Sequence, residues 1–167
     1  SSLEIGKMQF QFGNSDAVAI CRNVVDTVEK IKQTSATVLF QTSQEKMEIY
    51  TDEARLQQLH INLLITATKF TTEGSITLLL EKESEEMTVF SVTDTGCGIA
   101  PEKQGQIFNR FEKLNENAQG SGLGLSICQL IVDRFGGRIW IDPEYKDGSR
   151  FLFTHPIHST SRKEAAQ

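Results

Sequence analysis

The run MTVFSVTDTGCGI at 87–99 constrains the fold of this chain more than any other stretch. Its first half is apolar and rich in β-branched residues, the signature of a strand. The strand ends in an acid, Asp94, and Gly96 and Gly98 follow at once. A strand that runs into a Gly-x-Gly loop must turn sharply or admit another backbone, and only a residue without a Cβ allows either cheaply. A second glycine run, GSGLGLS at 120–126, opens a helical pattern. Two backbone-exposing elements with a carboxylate beside the first fit a nucleotide pocket. The carboxylate accepts a hydrogen bond from an exocyclic amine, and glycine N–H groups approach phosphates at a helix start.

The second glycine run is not one of the better-known phosphate loops. It reads GxGxG rather than GxGxxG, and polar residues (NENAQ) precede it where a strand would be needed. It also lacks the Lys-Ser/Thr ending of a P-loop. Taken alone it reads equally well as a flexible hinge before a helix; the DTGCGI run is what argues against that.

At 167 residues, 38% apolar and 23% charged, the chain is large enough for one domain with its own core. A net charge of −5 (17 basic against 22 acidic residues) argues against a nucleic-acid or anionic-membrane surface. No apolar run reaches the ~20 residues that span a bilayer, and no signal-peptide pattern opens the chain. Cys21, Cys97 and Cys128 form no CxxC pair and read as reduced thiols used as small apolar residues.

Along the chain, MQFQF at 8–12 alternates and reads as a strand, after which Asn14, Ser15 and Asp16 supply capping groups. Ala17, Ile20, Cys21, Val24, Val28 and Ile31 make the buried stripe of a first helix. ATVLFQT (36–42) and MEIYT (47–51) read as strands around a polar turn. Asp52 caps a second helix whose apolar face is Leu56, Leu59, Leu63, Ala67 and Phe70. ITLLLEKE (76–83) and MTVFSVTD (87–94) form a hairpin over an acidic turn. Leu123, Ile127, Leu130, Ile131 and Phe135 fit a last helix, stopped by Gly136-Gly137. RIWID (138–142) and SRFLFTH (149–155) close the domain around an Asp147-Gly148 turn. The sum is a two-layer α/β (α+β) sandwich. Its mixed, mostly antiparallel sheet pairs mainly as adjacent hairpins and is covered on one face by three helices.

On the second helix, Asn62, Thr66 and Lys69 lie at i, i+4 and i+7 and share a face, turned roughly 90° from the apolar stripe. Such a row is ordinarily solvated surface. Here it belongs to a larger pattern. DEARLQQLHINLLITATKFT at 52–71 resembles the asparagine-containing helix of bacterial two-component sensor histidine kinases. DTGCGI at 94–99 resembles their first glycine box, IFNRF at 107–111 their phenylalanine box, and GSGLGLSI at 120–127 their second glycine box. The order and spacing agree over nearly the whole chain.

The resemblance implies a Bergerat-type ATP-binding catalytic domain over 8–157, preceded at 1–7 by the end of a dimerisation helix or linker. A polar tail would occupy 158–167. It implies that Asp94 reads the adenine amino group, with Gly96, Gly98 and Ile99 shaping the base pocket and Phe70 lining it. Asn62 and Lys69 would face the phosphates and carry catalysis, with Asn62 and Thr66 toward Mg²⁺. Phe108 and Phe111 would anchor a lid spanning about 112–121. Gly122, Leu123, Gly124 and Leu125 would cradle phosphates at the start of the last helix, where the dipole favours anions.

The implied reaction is transfer of the ATP γ-phosphoryl to a histidine on an upstream dimerisation domain, for relay to a response regulator. The implied parent is a homodimer whose catalytic domain is cytoplasmic and which an inner-membrane anchor would suit. His60 is followed by Ile61 rather than the acidic residue of a phospho-acceptor motif, and His155 and His158 lie in the last strand and tail, so the acceptor is expected upstream of residue 1.

One position departs. The family's helix reads NLLxNAxKF, with the second asparagine a ligand of Mg²⁺, and this chain has Thr66 there. A threonine hydroxyl is shorter and lacks the amide carbonyl, so a degenerate nucleotide-binding or scaffolding module is the alternative. Topoisomerase, chaperone and mismatch-repair ATPases of the same fold fit less well. They place a catalytic glutamate where this chain has Asn62, and they lack the phenylalanine box.

Overall fold

The computed structural model describes residues 8–108 and 123–159. The expected linker at 1–7, Phe111, the lid at 112–121, Gly122 and the tail from 160 lie outside the described residues. The elements run β1 (Gly13–Asp16), α1 (Ala17–Ile31), β2 (Thr37–Thr42), β3 (Glu48–Thr51) and α2 (Glu53–Phe70). Then come β4 (Ser75–Lys82), β5 (Met87–Asp94), the one-turn α3 (Pro101–Gln104), α4 (Leu123–Phe135), β6 (Ile139–Ile141) and β7 (Arg150–Pro156).

Five strands form one sheet in the order β2-β4-β5-β7-β6, and β1 pairs with β3 in a separate antiparallel ribbon. β2 and β4 are parallel and every other pair is antiparallel. A parallel pair needs a crossover, and the β3–α2 segment supplies it. The expected two-layer sandwich with a mixed sheet is present. β2 and β3, read as strands around a polar turn, are both present and do not pair with each other, because β2 joins β4 and β3 joins β1. One local expectation fails. The strand expected at 8–12 is irregular chain, and the pairing begins only at Gly13, where capping was expected.

Residues 8–12 are held by contacts that alternation does not report. Phe10 stacks on Phe12 and meets Phe135 edge-on, while the Arg55 and Arg134 guanidinium groups lie over its ring. The Gln11 N–H donates to Asp52 Oδ2 at 2.7 Å.

The caps explain where the helices begin and end. Asp16 Oδ1 accepts from Val18 N and also from Met47 N, tying the start of α1 to the residue before β3. Asp52 Oδ1 accepts from Arg55 N at the start of α2. α4 stops where Gly136 takes φ +89°, with the N–H groups of Gly136 and Gly137 both donating to Val132 O.

α1 and α4 both pack against α2, which sits between them. Beneath them the strand register builds rows of apolar side chains. Leu80, Phe90, Phe153 and Ile139 make one row, and Leu78, Val92, Phe151 and Ile141 the next. These are the buried positions of their strands, and they form the core with Leu56, Leu59, Leu63 and Leu64 of α2. The same period of two puts Asp94 on the inner face, in register with Ile76 and 0% exposed.

Candidate functional site

A carboxylate on the inner face of a sheet needs partners, and Asp94 has half of them. Its Oδ1 accepts from the Gly96 N–H at 2.9 Å and the Ser149 N–H at 3.1 Å. Its Oδ2 is buried with no partner, and so are Thr71 Oγ1 and Ser149 Oγ. Burial pushes the Asp94 carboxyl above the usual carboxylate range. The N–H groups of Gly96 and Ser149 and the nearby Thr71 hydroxyl oppose that shift. A buried polar atom left unsatisfied costs about 1–3 kcal/mol. Asp94 Oδ2 therefore has no N–H donor and only the Thr71 hydroxyl nearby, at the mouth of a glycine loop.

The glycines hold that loop against its neighbours. A Cβ on Gly96 would come within 2.2 Å of the Phe70 carbonyl oxygen, and one on Gly148 within 2.0 Å of the Asp94 carbonyl oxygen. The Cys97 N–H donates to Phe70 O at 3.1 Å, fastening the loop to the end of α2. Tyr145 donates its hydroxyl to Asp94 O at 3.1 Å. Three segments thus converge on one carboxylate: 70–71 ending α2, 94–98 leaving β5, and 145–149 leading into β7. Phe70 and Ile99, both expected at the pocket, are 8% and 7% exposed.

Thr71, Tyr145, Gly148 and Ser149 were not among the expected site residues. The Asp147-Gly148 pair announces a turn, but nothing local connects that turn to Asp94, and only the β5–β7 pairing does so.

On α2, Asn62 is half-buried and its side chain lies against the Cys128 thiol of α4. Thr66, one turn on, donates its hydroxyl back to Asn62 O at 2.8 Å. Lys69 is exposed along an open groove of about 470 Å³ between α1 and α2, shared with Ile31, Lys32 and Ile65. Phe108 packs edge-on against Phe151 at 6.2 Å. Leu123 and Gly124 open α4, and Leu125 is turned into the core at 6% exposure. Among the described residues no group of three or more His, Cys, Asp or Glu side chains is placed to hold a metal ion.

The histidines behave as core residues or surface. His60 is 0% exposed, with Nε2 3.6 Å from Cys21 Sγ, and burial lowers its pKa to about 3. His155 donates from Nδ1 to Pro156 O at 2.7 Å, so its Nε2 accepts from the Thr51 hydroxyl at 2.9 Å. Burial lowers its pKa to about 4. His158 is exposed.

Comparison with known proteins gives a consistent picture. The family model for histidine kinase-, DNA gyrase B-, and HSP90-like ATPases matches residues 51–159. The adaptive-response sensory kinase SasA of Synechocystis sp. is 35% identical over 156 residues, covering 90% of this chain and 41% of the relative. Full-length ShkA, solved in complex with AMPPNP, superposes with a TM-score of 0.82 at 27% identity, over 92% of this chain and 33% of that one. The nucleotide-free catalytic domain of histidine kinase ThkA gives 0.79 at 30% identity, over 90% of this chain and 100% of that one. ThkA in complex with response regulator protein TrrA gives 0.78 at 30% identity, over 93% and 45%. The chain spans less than half the length of the curated relatives it matches.

Proposed function

This chain belongs to the histidine kinase-, DNA gyrase B-, and HSP90-like ATPase family, as an ATP-binding catalytic domain of the histidine-kinase kind. From that premise we propose that it seats the adenine of ATP on Asp94 and presents the γ-phosphoryl to a histidine of an upstream dimerisation domain. The observation that carries the reading is the partnerless, fully buried Asp94 Oδ2. An exocyclic adenine amine supplies the N–H donor that this atom lacks. The backbone around it is fixed by the Gly96 and Ser149 hydrogen bonds before any ligand arrives.

The phosphate end is read from α2 and α4. Asn62, turned toward α4, would be the protein ligand of Mg²⁺, while Thr66 with its hydroxyl bonded to Asn62 O would support a coordinated water. When bound, Mg²⁺ neutralises charge on the β- and γ-phosphate oxygens and keeps several waters of its own. Lys69 would add positive charge from the end of α2. Gly122, Leu123, Gly124 and Leu125 would receive the phosphates at the N-terminus of α4. Phe108 and Phe111 would flank a lid that closes over the nucleotide. The chemistry is in-line transfer dominated by positioning, so no side chain of this domain needs to act as a nucleophile. His60 and His155, neutral and walled in, leave the acceptor histidine to the parent protein.

The ThkA–TrrA complex supports a receiver domain as the next partner in the relay. No helix among the described residues is long and apolar enough to cross a membrane. The catalytic domain is proposed to work in the cytoplasm, and a homodimeric parent, anchored or not, would bring the acceptor helices to it.

The test uses the parent protein with γ-labelled ATP and Mg²⁺. Acid-labile, base-stable phosphate on a histidine upstream of this domain is the expected product. A parent that binds ATP and forms none would overturn the kinase assignment while leaving the pocket intact.

A further inference from the structure

The Asp94 carboxylate faces the helices, but the residue is also gripped from the far side of the sheet. Successive strand residues point to opposite faces, so the neighbours of Asp94 turn away from the helices. Thr93 and Thr95 line an open groove there with Tyr145 and Arg150. From that groove Tyr145 donates its hydroxyl to the Asp94 carbonyl oxygen at 3.1 Å. The Arg150 guanidinium lies over the Tyr145 ring, 4.5 Å from its centre. Arg150 also donates from Nε to Thr93 Oγ1 at 3.1 Å and from Nη1 to Asp142 Oδ2 at 3.4 Å. The other oxygen of Asp142 accepts from the Glu144 N–H at 2.9 Å, setting the turn that delivers Tyr145.

We propose that Tyr145 is a positioning residue that sets selectivity for adenine, acting through the main chain of Asp94. This rests on the reading of Asp94 as the adenine acceptor. The ladder between β5 and β7 ends at Thr93, paired with Arg150, so Asp94 needs other anchors. Its N–H donates to Ser149 O at 2.9 Å, and the N–H of Thr95 donates to Ser75 O at 3.1 Å. The Tyr145 hydroxyl closes this frame at the carbonyl between them. That carbonyl also abuts Gly148, where an added Cβ would stand 2.0 Å from its oxygen. A main chain held on every side holds the carboxylate that grows from it, and hydrogen bonds weaken steeply with lost distance and angle.

The phenol is suited to that task. Burial and the Asp147 and Asp94 carboxylates push its pKa above the ordinary range, against the pull of Arg150. It therefore keeps its proton at neutral pH and donates to the carbonyl. Because it lies on the face opposite α2 and α4, its effect on a nucleotide passes through Asp94.

The experiment pairs Tyr145→Phe with two ligands, ADP and the diphosphate of purine riboside, which lacks the exocyclic amine. Phenylalanine keeps the ring under Arg150 and removes only the hydroxyl. Isothermal titration of the full chain gives the ratio of the two affinities for each protein. A variant that is merely less folded loses the same factor for both ligands, so the ratio reports the amine contact alone. The parent chain is expected to prefer ADP by about tenfold or more. Tyr145→Phe should weaken ADP by about three- to tenfold, leave the analogue unchanged, and so contract the ratio. An equal loss for both ligands, or no loss for either, overturns the proposal alone and makes Tyr145 a structural residue. A parent chain that binds both ligands equally overturns the reading of Asp94 and the proposal with it.

Discussion

The inner face of the sheet carries polar groups at both ends of β5, and the two ends treat them differently. At one end Thr88 is in register with His155, whose neighbours are Thr51 and the Phe135 ring at 4.4 Å. One row inward, His60 meets the rings of Phe90 at 5.0 Å and Phe153 at 5.4 Å. At the other end Asp94 is bounded by main chain, in the loops at 96–98 and 148–149. Each end holds partnerless buried atoms: His60 Nδ1 at the first, and Asp94 Oδ2, Thr71 Oγ1 and Ser149 Oγ at the second. Aromatic rings can only exclude a partner, whereas a glycine-framed loop can admit one. The first cluster therefore bears on stability alone, and the second, as the proposed base site, would trade stability for a ligand.

That contrast has opposite signs in pH. Both histidines are held neutral, with pKa values lowered to about 3 and about 4, while the unfolded chain takes up their protons near pH 6.5. Their contribution is complete above the unfolded value and is lost as pH falls. Unfolding free energy measured by urea denaturation should drop by about 2 kcal/mol for each histidine between pH 7 and pH 5. Asp94 acts the other way. Its carboxyl is raised, so it weakens the fold at neutral pH, and that cost is removed as pH falls through the raised value. Equal stability at pH 7 and pH 5 would break the comparison, because it would mean the histidine end admits water.

Asp94→Asn separates the clusters more directly. An asparagine oxygen still accepts from Gly96 and Ser149, but an NH₂ group replaces Oδ2 and faces the adenine amine donor to donor. Nucleotide affinity should fall about ten- to a hundredfold, the range of about 1.5–3 kcal/mol for a hydrogen bond to a charged group. Stability of the nucleotide-free chain should hold or rise, since a neutral amide is buried at lower cost than a carboxylate. Isothermal titration beside urea denaturation reads both. Loss of stability together with binding would make Asp94 a structural residue like His155.

How much of this was legible in sequence depends on distance along the chain. Asp94, Gly96 and Gly98 lie within one short loop, and the Asp16 and Asp52 caps act within three residues, so local pattern finds them. Thr71, Tyr145, Gly148 and Ser149 act on Asp94 only because β7 lies beside β5 and α2 ends at the same loop. No local signal carries that pairing. Residues 8–12 misled for a related reason. Their alternation of Met, Phe and Phe with glutamines is real, but the phenylalanines serve a ring cluster and two arginines rather than a sheet. β2 and β3 were seen as strands, yet a polar turn between strands does not say whether they pair.

The smallest effect is expected at the phosphate end, where Thr66→Asn extends the comparison from the base to the metal. Thr66 Oγ1 is bonded to Asn62 O at 2.8 Å, an i−4 back-bond that ties the hydroxyl to the helix. An asparagine there carries its oxygen one bond farther out, on the same face as Asn62 and one turn along. Two amide oxygens could then share one cation. Mg²⁺ already takes most of its ligands from phosphates and water, so the gain is expected at about 1 kcal/mol, or severalfold in ADP affinity. Threonine and asparagine have similar helix propensities, so the stability of α2 should hardly move. Titrations with Mg²⁺ and with EDTA decide the cause. A gain confined to Mg²⁺ makes position 66 a metal position that threonine serves poorly. An equal gain in EDTA attributes the effect to release of the back-bond, and leaves Asn62 as the one side chain on this face positioned for the cation.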